Sequence, residues 1–291
     1  IVHAGPGSGN IAVDAASTAG ILVSHCPNQH ASAVAEHAFA LILSLDRRVV
    51  ESTLAMREGR WSRRALMDAR GLAGRTLGLL GTDTAGRAIA KRARAFGMKV
   101  LGWSPSLTGE PPSVADIEFC NWPRELARRS DVIVVNLPAE ANEQGPIVDA
   151  EFLQNARAGA CIVLLGHGSS VDESALAQAA VERNLRVAAD TFASEPTCDV
   201  ARFRSRLADV PGVVTTQHVA AETEQSRLAI AGEVVRVIRS FVVSGEIVNC
   251  LNLAERSPAR WQLVVRARDA VGLMASILDA VRADGINVEE I

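Results

Sequence analysis

The sequence predicts an α/β protein built around a doubly wound parallel sheet. Short runs of apolar and β-branched residues alternate with helical patterns along most of the chain, which is typical of parallel strands with helices on both faces of the sheet. A glycine turn stands directly between one of these strands and the next helix. The length of 291 residues predicts about two domains.

The predicted strands are short and largely apolar, as expected for strands that are buried on both faces. In chain order they are Ile21–Ser24, Thr76–Leu80, Lys99–Gly102, Val132–Asn136, Ala160–Leu165, Arg186–Ala189 and Val213–Thr216. The predicted helices are Ser32–Glu58, Ala85–Phe96, Pro123–Ala127, Asp149–Asn155, Glu173–Glu182 and Glu222–Val243. The first helix is the longest, because apolar residues recur in it at helical spacing and predict one continuous buried face: Val34, Ala38, Leu41, Leu45 and Val49.

The pattern changes after Val248. A polar connector leads to a predicted strand at Trp261–Val265, a helix at Leu273–Asp284 and a second strand that begins at Ile286. This β-α-β order predicts a separate small module in the last part of the chain.

The composition excludes several classes of protein. Lys and Arg number 30 against 33 Asp and Glu, for a net charge of −3, so we expect neither a nucleic-acid nor a membrane partner. The longest apolar run, Ala38–Leu45, is far shorter than the about 20 residues of a membrane helix. Five scattered cysteines, with no CxxC pair and no zinc-type spacing, predict buried thiols in a reducing cytoplasm and no metal site.

The glycine turn has the context of a dinucleotide-binding motif. The strand Thr76–Leu80 is followed by GTDTAG, residues 81–86, and then by a helix. In GxGxxG the first glycine turns the chain, the second lets the pyrophosphate approach, and the third packs the helix against the strand. Gly81 and Gly86 occupy the first and third places, but Asp83 occupies the second. This turn, with Thr84, is the candidate cofactor site of a Rossmann-type fold.

Asp83 has two interpretations. A carboxylate about 4 Å from a phosphate charge would weaken binding by about 4 kcal/mol at an effective dielectric constant of about 20. As the residue before a helix, the same carboxylate can accept free N–H groups and interact favourably with the helix dipole. The next strand leads to Ser104, whose hydroxyl can bond a ribose but lacks the charge of the acidic residue that this motif usually has there.

Further segments, in chain order, carry a family resemblance: AGPGSGNI, VAEHAFALILSL, LAGRTLGLLGTDTAGRAIAKRARAFGMKV, SSVDESAL, ADTFASEP and TTQHVAAET. With them the chain resembles the D-isomer-specific 2-hydroxyacid dehydrogenases over nearly its whole length. Residues Arg268–Glu289 are similar to the first half of an ACT domain, so the resemblance is greatest to the branch that carries this domain and acts on 3-phosphoglycerate in serine synthesis. It implies an NAD-dependent oxidoreductase whose substrate is a small 2-hydroxy acid.

The resemblance also implies the roles of single residues. The family's catalytic histidine and glutamate match His218 and Glu195, and its aspartate near the nicotinamide matches Asp190. A carboxylate fixes the tautomer of a neighbouring imidazole, which can then exchange a proton with the C2 hydroxyl. The family's catalytic arginine is replaced by His167, which offers one N–H in place of a planar charged fork. The substrate loop matches three residues near Ile1: Gly5, Gly7 and Ser8.

These departures from the family pattern leave two functions open. One is an NAD-dependent dehydrogenase whose cofactor binding is weakened. The other is a non-catalytic paralogue that keeps the fold and acts as a regulatory or assembly partner. The pair of His218 and Glu195 favours the first function, whereas Asp83, Ser104 and His167 favour the second.

The resemblance divides the chain into one nearly whole domain and two partial ones. We expect residues 1–31 to belong to a flavodoxin-like substrate domain that a helix at 222–250 completes, and residues 32–221 to form the NAD-binding domain. Residues 251–257 are predicted to be a linker, and residues 258–291 part of an ACT domain. Because the sequence starts at Ile1 rather than Met and the last module looks incomplete, we expect a fragment of a longer protein. A homo-oligomer is implied as well.

Overall fold

The computed structural model of this chain describes residues 1–105, 117–138, 145–196, 198, 200–253, 265, 267–268 and 270–286. The chain divides into two compact units, a larger one of residues 28–229 and a smaller one of residues 1–27 and 230–291. The secondary-structure elements are, in chain order, β1 (Val2–His3), α1 (Val13–Thr18), β2 (Ser24–His25), α2 (Ala31–Arg47), α3 (Val49–Arg57), β3 (Thr76–Leu80), α4 (Thr84–Ala95), β4 (Lys99–Trp103), β5 (Glu118–Phe119), α5 (Pro123–Arg129), β6 (Val132–Val135), α6 (Ala150–Asn155), β7 (Cys161–Leu164), α7 (Glu173–Glu182), β8 (Arg186–Ala189), β9 (Val214–Thr215), α8 (Glu224–Ser244) and α9 (Leu273–Ala283).

The larger unit is built on a seven-stranded sheet in the order β5-β4-β3-β6-β7-β8-β9. Each described pair of neighbouring strands is parallel. The chain runs outward from β3 to β4 and β5, and then crosses back to β6 on the other side of β3. This reversal is the mark of a doubly wound Rossmann-type sheet, so the predicted fold class is confirmed for this unit.

Alternate residues of each central strand enter two separate hydrophobic cores. In β6, Val132 and Val134 face the core beneath α2 and α4, whereas Ile133 and Val135 face the core beneath α5, α6 and α7. Successive side chains of a strand point to opposite faces of the sheet. Because helices cover both faces, the strand must be apolar at every position, which explains the continuous apolar runs of the sequence.

The segment Ser32–Glu58 forms two helices, α2 and α3, and the prediction of one long helix is wrong. Between them Arg48 has a left-handed φ of 52°, a conformation that disfavours a residue other than glycine by roughly 1–2 kcal/mol. The Arg48 guanidinium donates to Glu51 at 2.8 Å and to Asp68 at 3.3 Å, and such charge-assisted bonds offset the strain. Val49 is half exposed rather than buried.

A buried ion pair anchors α2 to the sheet. Nη1 of Arg75 donates to Oδ1 of Asp46 at 3.0 Å, and the two side chains are 9% and 2% exposed. Arg75 also donates to the carbonyl of Asp131 at 3.2 Å. Loss of one partner would leave an uncompensated charge in the interior, so this pair holds the C-terminal end of α2 against the sheet.

In the smaller unit, β1 and β2 pair in parallel over two residues each. The strand predicted at Ile21–Ser24 is displaced to Ser24–His25. The reason is the side chain of Asn252, which accepts the N–H of Val23 and donates to the carbonyl of Ile21, both at 2.9 Å. These bonds take the places that a neighbouring strand would use.

The last module is described in part. The helix predicted at Leu273–Asp284 is observed as α9. The strands predicted at Trp261–Val265 and from Ile286 onward, and most of the predicted linker 251–257, lie outside the described residues. The prediction of a partial ACT domain therefore stays a prediction.

Two composition-based predictions can be compared with the structure. All five thiols are free; Cys26, Cys120 and Cys161 are buried, but Cys198 is exposed, so the prediction of uniformly buried thiols is wrong. Cys198 stands in the loop between β8 and β9, and Cys250 is half-buried. Among the described helices, none has the length and apolar character needed to cross a membrane.

Candidate functional site

The candidate residues of the larger unit follow the carboxyl ends of the parallel strands. Gly81 follows β3, Ser104 follows β4, His167 lies just beyond β7 and Asp190 follows β8. In a parallel sheet these ends meet at one edge, and ligands bind there where the strand order reverses. That reversal lies between β3 and β6, next to the glycine turn.

The glycine turn is as tight as the dinucleotide motif requires. Gly81 has a φ of 99°, and a Cβ there would collide with the carbonyl oxygen of Asn136. A Cβ at Gly86 would collide with the carbonyl oxygen of Gly81, so the start of α4 is pressed against the turn. The first and third motif positions therefore need glycine for steric reasons.

Asp83 is the N-cap of α4. Its Oδ1 accepts the N–H of Gly86 at 2.8 Å and the side-chain amide of Asn136, also at 2.8 Å. The helix N-terminus is the place where a dinucleotide motif receives an anion, and here the protein supplies its own carboxylate. Thr84 is the first residue of α4, and Ser104 is half-buried directly after β4.

His218 and Glu195 form a hydrogen-bonded pair. Nδ1 of His218 lies 2.6 Å from Oε2 of Glu195, and the other oxygen, Oε1, accepts the N–H of Phe192 at 2.6 Å. A carboxylate on Nδ1 makes that nitrogen the donor and leaves Nε2 as the atom that can exchange a proton. The imidazole is 63% exposed, so a ligand can reach it.

Asp190 is buried directly behind this pair, with a side chain that is fully inaccessible to solvent. Its carboxylate accepts the N–H groups of Val219 at 3.0 Å and Ala220 at 2.9 Å, and its backbone carbonyl accepts the N–H of His218 at 2.8 Å. Thr216 donates its hydroxyl to Oδ1 at 2.5 Å. The carboxylate expected near the nicotinamide is thus bonded to the loop that carries the histidine.

His167 stands in a loop packed between two others. A Cβ at Gly166 would collide with the backbone of Leu137, and a Cβ at Gly168 with the backbone of Phe192. The exposed imidazole contacts Ser169 through Nδ1, 2.7 Å from its hydroxyl oxygen. The fold therefore brings His167 close to the segment that holds Glu195, with one ring nitrogen already bonded within its own loop.

The predicted substrate loop lies in the smaller unit. The carbonyl of Gly5 accepts the N–H of Cys26 at 2.9 Å, and the N–H of Gly7 donates to Nδ1 of His25 at 3.0 Å. The carbonyl of Ser8 accepts the N–H of Ile11 at 3.1 Å. Burial, and then the nearby His3, lower the pKa of His25 from its usual 6.5, which favours the neutral ring that can accept this bond.

Three residues of the site were not predicted from the sequence: Asn136, which holds Asp83, and His37 and Thr216, which contact Asp190. Asn136 had a detectable signal, because it is the first polar residue after the apolar strand Val132–Val135. No sequence pattern marked His37 as part of the site, since it lies in the middle of the largely apolar helix α2. In the described residues, no cluster of His, Cys, Asp or Glu is arranged to hold a metal ion.

The fold and the site together define an α/β dehydrogenase of the dinucleotide-binding class. Residues 39–220 match the NAD-binding domain of the D-isomer specific 2-hydroxyacid dehydrogenases. The chain belongs to this family, whose members are NAD-dependent oxidoreductases.

Individual relatives agree with this assignment. D-3-phosphoglycerate dehydrogenase of Mycobacterium tuberculosis is 33% identical over 291 residues, which cover 96% of this chain and 52% of that protein. Hydroxypyruvate reductase of Thermotoga maritima is 33% identical over 239 residues, 82% of this chain and 76% of that protein. The structure of D-lactate dehydrogenase from Aquifex aeolicus, complexed with NAD and lactic acid, superposes with a TM-score of 0.72 at 27% identity, covering 86% of this chain and 79% of that one. The chain spans about half the length of the curated D-3-phosphoglycerate dehydrogenases it matches.

Proposed function

We propose that this chain catalyses hydride transfer between NAD and C2 of a small 2-hydroxy acid, with reduced affinity for the cofactor. The observation that carries the proposal is the bond of 2.6 Å between His218 and Glu195. A histidine oriented by a carboxylate and open to solvent is suited to exchange a proton with a substrate hydroxyl.

In this mechanism Nε2 of His218 takes the proton of the C2 hydroxyl during oxidation and returns it to the carbonyl oxygen during reduction. Glu195 holds the Nδ1 proton and stabilises the imidazolium that forms in the oxidative direction. The N–H of Phe192, at 2.6 Å from Oε1, prevents the carboxylate from rotating away. When bound, NAD accepts or supplies the hydride.

The residues that would hold NAD fit it in part. Gly81 and Gly86 form the required tight turn, and Thr84 and Ser104 offer hydroxyls beside it. Asp83 opposes the diphosphate, because its carboxylate already accepts the N–H of Gly86. We therefore propose that the cofactor binds weakly, and that Asp190 acts on the histidine loop in addition to its family role beside the nicotinamide.

We assign the substrate carboxylate to His167, and the role of Gly5, Gly7 and Ser8 as the substrate loop stays a prediction from the family resemblance. One N–H of His167 would replace the bidentate bonds of an arginine, so substrate affinity is reduced too. The D-3-phosphoglycerate dehydrogenases among the relatives favour 3-phosphoglycerate as the substrate and serine synthesis as the pathway.

The organisation of the whole protein is part of this proposal. Residues 1–31 with the segment 222–250 would form the substrate domain, although the helix of that segment is shorter than predicted, Glu224–Ser244. Residues 32–221 would form the NAD-binding domain and residues 258–291 part of an ACT domain, with a linker at 251–257. A homo-oligomer and a cytoplasmic location stay predictions from the sequence.

A second candidate is a non-catalytic paralogue that serves as a regulatory or assembly partner. Two contacts favour it: Asp83 occupies the anion position of α4, and His167 is engaged by Ser169. The first contact occupies the N–H of Gly86 at the start of α4, and the second occupies one ring nitrogen of His167. Both groups lie where a dehydrogenase of this family would bind its ligands.

Two measurements distinguish these functions. Nicotinamide fluorescence is followed during titration with NADH, and oxidation of NADH is followed with 3-phosphohydroxypyruvate and with hydroxypyruvate. The enzyme proposal requires saturable binding and turnover that His218→Gln abolishes, with His30→Gln, at the N-cap of α2, as the matched control. Binding of NADH without turnover, or no binding at millimolar NADH, would support the paralogue.

A further inference from the structure

We infer that His37 is a positioning residue, which acts on His218 through Thr216 and the buried carboxylate of Asp190. The inference rests on the proposed function, in which His218 exchanges the proton. It goes beyond the family resemblance, which assigns no role to His37 or Thr216.

The first step of the argument is the environment of Asp190. A fully buried carboxylate is strongly unfavourable unless donors surround it. Among the described residues, Oδ2 accepts the N–H of Ala220, while Oδ1 accepts the N–H of Val219 and the hydroxyl of Thr216. His37 offers a further donor, with Nε2 3.3 Å from Oδ1.

The second step is the hydrogen bonding of His37. Its Nε2 is also 3.1 Å from the hydroxyl oxygen of Thr216. Because that hydroxyl gives its proton to Asp190, its oxygen can only accept from His37. Nε2 therefore carries a proton, and the ring of His37 shares it between Thr216 and Asp190.

The third step connects this network to His218. Asp190 holds three consecutive backbone N–H groups, at His218, Val219 and Ala220. His218 itself has a left-handed φ of 54°, which disfavours a residue with a side chain and persists only when the surroundings hold it. If His37 is lost, Asp190 loses a donor and the loop can relax, which turns the imidazole away from its bond with Glu195.

The experiment compares His37→Leu, His37→Gln and Thr216→Val with His30→Leu as control. His30 lies at the N-cap of the same helix and makes no side-chain cap bond. The readouts are kcat and KM with NADH and hydroxypyruvate, and the NMR signal of the Nδ1 proton that His218 shares with Glu195. Thermal unfolding identifies variants that do not fold.

We expect His37→Leu to lower kcat by roughly tenfold to a hundredfold, as misplaced catalytic groups do, and to leave KM for NADH unchanged. The Nδ1 signal of His218 should shift or broaden in His37→Leu and Thr216→Val, and His37→Gln, whose side-chain amide can donate in the same place, should restore both readouts. If the wild-type chain has no turnover, the proposed function fails, and the NMR signal alone decides the role of His37.

The inference is overturned if folded His37→Leu has the kcat and the Nδ1 signal of the wild type. It is also overturned if His37→Gln and His37→Leu lower kcat and change the Nδ1 signal to the same extent. Should His37→Leu not fold, Thr216→Val decides, because it removes one hydroxyl at nearly constant shape: an unchanged Nδ1 signal there refutes the role of the network.

Discussion

Removing the charge of Asp83 is expected to strengthen the binding of NADH. Two variants separate the effect of the charge of Asp83 on NADH binding from the effect of its side chain as the N-cap of α4. Asp83→Asn keeps an oxygen that can accept the N–H of Gly86, and Asn is as good an N-cap as Asp. Asp83→Gly restores the dinucleotide motif and removes the contact with Asn136, at a loss of only a few tenths of a kcal/mol in capping.

The magnitude follows from the exposure of the carboxylate. Two like charges about 4 Å apart repel by about 4 kcal/mol at an effective dielectric constant of about 20, and by about 1 kcal/mol in bulk water. Asp83 is exposed at the rim of the turn, so its environment lies between these limits. The dissociation constant for NADH should fall by about fivefold at least and by about a thousandfold at most.

The assay is a fluorescence titration with NADH at low and at high salt, because the repulsion should weaken as salt screens it. The matched control is Asp149→Asn, which changes another N-cap aspartate, with its Oδ1 2.7 Å from the N–H of Phe152, and should not change the affinity. If neither variant at position 83 binds NADH more tightly than the wild type, the electrostatic explanation is wrong.

Gly168→Ala should lower the temperature of unfolding and kcat together, because its Cβ collides with the backbone of Phe192 and overpacking destabilises by about 1–3 kcal/mol; an unchanged melting curve would contradict the close packing of the His167 loop. Because the pKa of His25 is lowered from 6.5 in the folded chain, the unfolded chain binds more protons below that value, and stability should fall as the pH decreases through 6.5. Urea unfolding at about pH 7.5 and about pH 5.5 should show that the free energy of unfolding decreases less for His25→Asn than for the wild type. Equal decreases would refute this. Burial raises the pKa of Cys120 to about 11, so iodoacetamide at about pH 8 should label the exposed Cys198 first; mass spectrometry of the peptides would contradict this if both are labelled at one rate.

Most of the sheet could be predicted because its signal is local. The buried strand Val132–Val135 is apolar at every position because both of its faces are covered. A run of consecutive apolar residues can be recognised directly in the sequence. The glycine turn was predictable for the same reason, because Gly81 and Gly86 belong to one strand–turn–helix unit. Arg48 interrupts the predicted first helix and bonds to Glu51 and Asp68. These polar contacts could not be predicted from the periodicity of the apolar residues.

Local patterns were enough to predict the parallel fold, whereas His218 and Glu195 were identified through the family resemblance. The contacts that position His218 depend on the tertiary structure. His37 contacts Thr216, 179 positions further along the chain, and Asp190 accepts hydrogen bonds from Thr216 and Ala220, 26 and 30 positions away. Polar contacts of this kind depend on where strands and helices come to lie, and a buried carboxylate takes its donors from whichever residues the fold brings there.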